Sequence, residues 1–280
     1  MGSDRSRRVS PIALPLLCAV LLSAPLLAGA DQRPDEPLGI GFLWYGGSEE
    51  AATLLEAETD FVDLILGQRH LAVFKQIPAP VRIMCLSLAL ERHEARPFPG
   101  VKETIEMLQA NSIEPERVII GYNPERSPGT TTEEMDNLVG SVQRAKEMAH
   151  SFGSPLLVGP GMREMLQQEH LYPELARHSD MWLIQSQRFQ LDQFTRRVSP
   201  PEEYRASIER VVEMLREGNP EIRVFVQILA SGRRDEPLFS AEEVAAYALA
   251  IEDLVEAVRI YGGTPELLVE VIDLIRNPRD

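Results

Sequence analysis

The chain is predicted to be an α/β protein, a (β/α)8 TIM barrel preceded by a cleavable signal peptide. Three observations predict it. From Gly39 onward, eight apolar, β-branched runs each precede a helix-patterned segment. The runs lack polar alternation, which suits strands of a parallel sheet covered on both faces. Once a leader of about 30 residues is set aside, about 250 remain, the usual size of one such barrel. The main rival, an open doubly wound sheet, usually shows a glycine-rich fingerprint after its first strand; Trp44-Tyr45-Gly46-Gly47 is too short and too aromatic for that.

Residues 1–30 read as a secretory leader. Arg5, Arg7 and Arg8 precede an apolar stretch from Ile12 to Leu27, and Ala28-Gly29-Ala30 stands before Asp31. Pro15 and Pro25 interrupt the stretch, which is short for a bilayer span, so no stable membrane insertion is expected after cleavage. The expected location is periplasmic or extracellular, and residues 31–280 are expected to form a single barrel domain.

The first strand is placed at Gly39–Tyr45, with a helix over Ser48–Glu56; the second at Phe61–Leu66, with a poorer helix over His70–Gln76. The third, Val81–Leu90, leads into the polar stretch Glu91–Pro99 and a helix over Val101–Ala110. The fourth, Val118–Tyr122, is followed by the turn-rich Asn123–Gly129 and a long helix capped by Thr131 or Thr132, with Met135, Leu138, Val142, Ala145 and Ala149 at helical spacing. The fifth, Pro155–Val158, meets Gly159-Pro160-Gly161 and a broken helical segment over Met162–Arg177. The sixth, Met181–Ser186, precedes a loop ending in Ser199-Pro200-Pro201, a cap and first-turn proline for a helix reaching Glu217. The seventh, Ile222–Leu229, is followed by Ser240-Ala241-Glu242-Glu243, a capping box. The eighth decides closure: Ala257–Tyr261, then Gly262-Gly263 and a helix capped at Thr264-Pro265-Glu266.

The formal charge of −15 deepens when the basic leader is removed, and excludes nucleic acid as a partner, since phosphate neutralisation needs a basic face. Cys85 is the only cysteine after cleavage and is expected to be a buried thiol. The five histidines lack the paired spacing of metal ligands, so neither a metal nor any other cofactor is expected. The glycine turns before the fifth and eighth helices suit a phosphate, which keeps a sugar-phosphate enzyme as a rival, although glycines needed simply to leave a strand explain both.

In such a barrel, chemistry belongs to polar residues at the carboxyl ends of the strands. The sharpest cluster is Tyr122-Asn123-Pro124-Glu125, an amide and a carboxyl two residues apart and therefore on one side while strand geometry persists. Either Glu125 protonates a glycosidic oxygen beside Asn123, or the segment is an ordinary turn with Glu125 solvated or paired with Arg126. Substrate contacts are expected from the aromatics Trp44, Tyr45, Tyr122 and Tyr261 and from the amides Gln185, Gln187 and Gln227. Glu91 is the reserve second acid, competing with a role as ion-pair partner of Arg92 or Arg96; Asp180 precedes its strand and belongs to the opposite, stability face.

On these residues the chain resembles the chitinase-like glycoside hydrolases of family 18 and related barrel glycosidases. Their fourth strand carries an Asp-x-Glu or Asn-x-Glu motif, matched here by Asn123 and Glu125, and the likeness extends to Leu43-Trp44 and to Asp180–Gln185. It implies Glu125 as general acid and Asn123 as the group orienting the substrate's own N-acetyl nucleophile. The chain departs from the family where Ile119-Ile120-Gly121 replaces an acidic run, and where Tyr261 replaces a tryptophan. The expected partner is a glycan or polysaccharide, with a non-catalytic barrel binding a glycan or cell-envelope component as the alternative.

Overall fold

The computed structural model describes residues 37–64, 71–92, 98–126, 129–192, 195, 197–231 and 238–278. The expected leader, His70 and the end of the expected second strand lie outside them. Eight parallel strands close in sequence order, β1 (Gly39–Leu43), β2 (Phe61–Leu64), β3 (Arg82–Ser87), β4 (Val118–Tyr122), β5 (Leu156–Val158), β6 (Met181–Gln185), β7 (Arg223–Leu229) and β8 (Ala257–Tyr261). β8 pairs with β1 through Gly39 to Ala257 and Phe42 to Ile260, so the sheet has no free edge.

Around it run α1 (Glu49–Thr53), α2 (Val101–Ala110), α3 (Thr132–Asp136), α4 (Leu138–Phe152), α5 (Met162–Gln167), α6 (Tyr172–Arg177), α7 (Gln187–Gln190), α8 (Pro201–Gly218), α9 (Ala241–Leu249) and α10 (Pro265–Arg276). The long helix expected after β4 is two: Asn137 leaves helical geometry and its side chain caps Gly140 N–H at 3.3 Å. The poor helix over His70–Gln76 reduces, among its described residues, to a 3-10 turn at Val73–Lys75. Strands one and three end earlier than expected, at Leu43 and Ser87. Ser240 and Glu243 form the expected capping box, and Thr264 caps α10.

Alternation along the strands separates two cores. Ile40, Phe42, Val62, Ile83, Cys85, Ile120 and their equivalents face the helices. Phe61, Met84, Ile119, Leu157, Leu183, Phe225 and Ala257 fill the barrel itself. The Phe61 and Phe225 rings meet at 5.2 Å across the interior. Gly41 makes this possible, since a Cβ there would stand 2.3 Å from the Phe61 ring. The lower barrel is thus a solid plug, and any ligand is confined to the mouth.

Cys85 is fully buried among the helix-facing residues, and burial pushes its thiol up and away from reactivity. Asp180 stands just before β6, at the end opposite the mouth. It accepts from Leu156 N–H at 2.9 Å, from Lys146 at 2.9 Å and from His150 at 2.7 Å. Among the described residues no helix is long and apolar enough to cross a membrane.

Candidate functional site

One step above the plug, β8 places Arg259 beside Gln227 of β7, and β2 supplies Asp63. Arg259 donates to Asp63 Oδ2 and to Gln227 Oε1. Asp63 is 0 % and Arg259 3 % exposed, so the pair is sealed within the barrel. Burial raises the Asp63 pKa, a shift that the neighbouring guanidinium only partly opposes. Gln227, expected to touch substrate, is committed to this network beneath the mouth, a correction that follows from a charge needing a partner once buried.

Above the network, the end of β4 enters the mouth. Asn123 is held by its backbone N–H on Ser87 O at 2.8 Å, and its side chain links two groups. Its Nδ2 donates to Glu125 Oε1 at 3.0 Å, and its Oδ1 accepts from Gln185 Nε2 at 2.9 Å. Gln185 Nε2 also faces the carbonyls of Gly159 at 3.2 Å and Pro160 at 3.1 Å. Three oxygens around that nitrogen, and a carboxylate beside the Asn123 nitrogen, fix both amide orientations. Gln185 therefore orients Asn123, and Asn123 orients Glu125, across three strand ends.

The loop beyond is pinned from two sides. Thr130 Oγ1 accepts from Glu125 N–H at 2.9 Å and donates to Leu88 O at 2.5 Å. Glu164, on the first turn of α5 and 4 % exposed, accepts Arg126 N–H at 2.9 Å. Between the two acids sits Gly161, whose N–H reaches Pro124 O at 3.0 Å. A Cβ on Gly161 would lie 2.6 Å from Glu125 Cγ and 2.7 Å from Glu164 Oε2. Sequence reasoning does not single out Thr130 or Glu164; the usable signal is Gly159-Pro160-Gly161, a strand exit that brings the next helix's first turn against its neighbour's loop.

Other expected contacts divide. Tyr261, 39 % exposed, presents a ring at the mouth, 5.4 Å from the Arg259 guanidinium carbon. Trp44 is partly buried and packs on the helix-facing core, and Tyr45 donates to Gly263 O at 2.5 Å, tying the first loop to the last. Tyr122 is a correction. It is fully buried on the helix side of β4 and donates to Glu134 at 2.9 Å, because the residue preceding an inward Asn123 must point outward. Gln187 opens α7 instead of extending β6, so strand alternation no longer aligns it with Gln185; its Oε1 is buried without a partner among the described residues. Glu91 is exposed and meets Lys102 at 3.5 Å, neither Arg92 nor Glu125. It lines a groove of about 500 Å³ against α3 and α4, apart from Asn123, Glu125 and Gln185. Among the described residues no cluster of His, Cys, Asp and Glu is arranged to hold a metal.

No family model and no curated protein matches the chain. Solved structures do match. The spore cortex-lytic enzyme SleL of Bacillus megaterium QM B1551 superposes with a TM-score of 0.54 at 10% identity, covering 88% of this chain and 75% of that one. The carboxyl transferase domain of Rhizobium etli pyruvate carboxylase gives 0.50 at 11% identity, covering 88% of this chain and 48% of that one, so the chain spans about half its length. At such identities the likeness is one of fold, and the resemblance to barrel enzymes read from the sequence holds at that level.

Proposed function

We propose that the barrel is an exported glycan-acting enzyme, a glycoside hydrolase with Glu125 as general acid and Asn123 as the orienting group. The observation carrying this reading is the chain of hydrogen bonds from Gln185 through Asn123 to Glu125 at the mouth of the barrel. Likeness of fold to a spore cortex-lytic enzyme is consistent with it. Export rests on residues 1–30 as read from the sequence.

In this reading Glu125 gives its proton to the glycosidic oxygen as the bond to the anomeric carbon breaks. The substrate's N-acetyl oxygen, aligned by Asn123, attacks that carbon from the opposite face. Water then opens the cyclic intermediate, losing its proton to Glu125. Glu164 is a positioning residue: by holding Arg126 N–H it fixes the loop that aims the acid.

The test is reducing-end release from N-acetylated and plain polysaccharides by the wild-type chain and by Glu125→Gln. Loss of a positioned general acid is expected to slow turnover about 10²–10⁴-fold while glycan binding stays. Binding without turnover in both forms would instead assign a glycan-binding barrel, the alternative drawn from the sequence.

A further inference from the structure

The groove of about 500 Å³ lies where the exit of β3 meets α3 and α4. Its lining brings together Glu91 from the β3 exit, Glu133 and Glu134 from α3 and Glu147 from α4, against one guanidinium, that of Arg144. Arg144, Glu147, Met148 and Ser151 recur at i, i+3, i+4 and i+7, so a stripe of α4 about 10 Å long faces it. Buried Leu90 and half-buried Met148 add an apolar wall to these charges.

Glu134 is the unusual member. It is 7 % exposed, and its Oε2 accepts from the Tyr122 hydroxyl at 2.9 Å and from Leu90 N–H at 3.1 Å. Its Oε1 has no donor, and the carboxylate no ion-pair partner, among the described residues. Arg144, which shares the groove, turns to Ser141 Oγ at 3.4 Å instead. A buried carboxylate calls for a cation or further donors, and the groove it lines is the side from which they can enter. The other acids leave charge to spare. Glu91 meets Lys102 at 3.5 Å in an exposed, weak pair, and Glu133 and Glu147 are exposed with no ion pair among the described residues.

We propose that this groove binds a linear polyamine, with one ammonium group at Glu134 Oε1, others at Glu133 and Glu147, and the intervening methylenes on Leu90 and Met148. The volume lies within the range of small-molecule sites. A metal ion needs several oxygens around one point, and no acids are so arranged among the described residues. Acids set along a stripe suit charges spaced along a chain. A peptide would bring backbone amides to satisfy, whereas Thr131 and Ser151 are the uncharged polar side chains that the lining offers. The site stands apart from Asn123 and Glu125 and does not depend on the glycan-acting reading.

Calorimetric titration of the full chain with spermidine at low salt tests it. Spermidine is expected to bind at least about tenfold more tightly than butylamine or Mg²⁺, more tightly than Lys-Lys amide of equal charge, and less tightly near 0.5 M salt. Glu133→Gln combined with Glu147→Gln, both exposed, is expected to weaken it at least about fivefold, and Glu134→Gln likewise. Arg144→Gln removes a competing cation and is expected to tighten it at least about twofold. Glu213→Gln combined with Glu270→Gln, which deletes the same charge from α8 and α10, is expected to leave it unchanged. No spermidine binding, equal binding of Mg²⁺ or butylamine, or equal weakening by the two double variants overturns the proposal. Equal or tighter binding of Lys-Lys amide overturns it too, and assigns the groove to a basic peptide.

Discussion

Gly161 occupies a place that no other residue can take without moving an acid. Its Cβ position is claimed by Glu125 Cγ and Glu164 Oε2, so Gly161→Ala must displace one carboxylate or the other. A shift of about 1 Å in a catalytic group costs on the order of 10²-fold in rate. Gly161→Ala is therefore expected to lower kcat about that much, with urea unfolding showing a loss of only about 1–3 kcal/mol. Unchanged turnover would mean that Glu125 is not held where the mechanism needs it. Arg259 poses a different question, because its partners Asp63 and Gln227 are sealed beneath the mouth. Arg259→Met leaves Asp63 alone in the barrel and is expected to cost about 3–5 kcal/mol in denaturant unfolding, most of it recovered by adding Asp63→Asn. No recovery would show that the guanidinium stabilises by packing rather than by pairing. This network also explains why Gln227 is misread from sequence: its partner Arg259 binds Asp63 from 196 positions away, and no local pattern announces that.

At the scale of elements, Asp180 fastens β6 to β5 and α4 at the end away from the mouth, through Leu156 N–H, Lys146 and His150. Burial acts to raise its pKa, but those hydrogen bonds outweigh it and hold the carboxyl below its usual value. A depressed folded-state pKa contributes stability that is present above the unfolded value near 3.9 and is lost as pH falls through the folded value. Asp180→Asn is expected to lower Tm at pH 7, with the gap to wild type closing as pH drops below about 4. A gap that stays constant down to pH 3 would contradict this. Strand eight was readable because Ala257–Tyr261 ends in Gly262 and Gly263, whose φ values of 80° and 100° are the left-handed exit that glycine favours. Helix boundaries were less so: nothing in the periodicity of Met135, Leu138 and Val142 marks the break at Asn137, because the apolar stripe continues across it. Tyr122 is a case where the alternation rule, applied to both neighbours, settles the side: an inward Asn123 requires an outward Tyr122.

For the whole molecule, eight strands that close in sequence order bring Asn123, Glu125, Glu164 and Gln185 to one rim. The order of elements was legible from the apolar runs, and with it the end of the barrel where polar residues matter. Convergence was not, because which side chains meet depends on register and on loops too irregular for periodicity to describe; Glu164 enters the site only through the path taken by Gly159-Pro160-Gly161.

The claim on which this account turns is that Glu125 is the acid of a glycan-cleaving mouth. Digestion in ¹⁸O-labelled water, with products read by mass spectrometry, tests it most directly. The wild-type chain is expected to place ¹⁸O on newly formed reducing ends, and Glu125→Gln to place almost none. Unlabelled products from the wild type, or equal labelling by both forms, would contradict it.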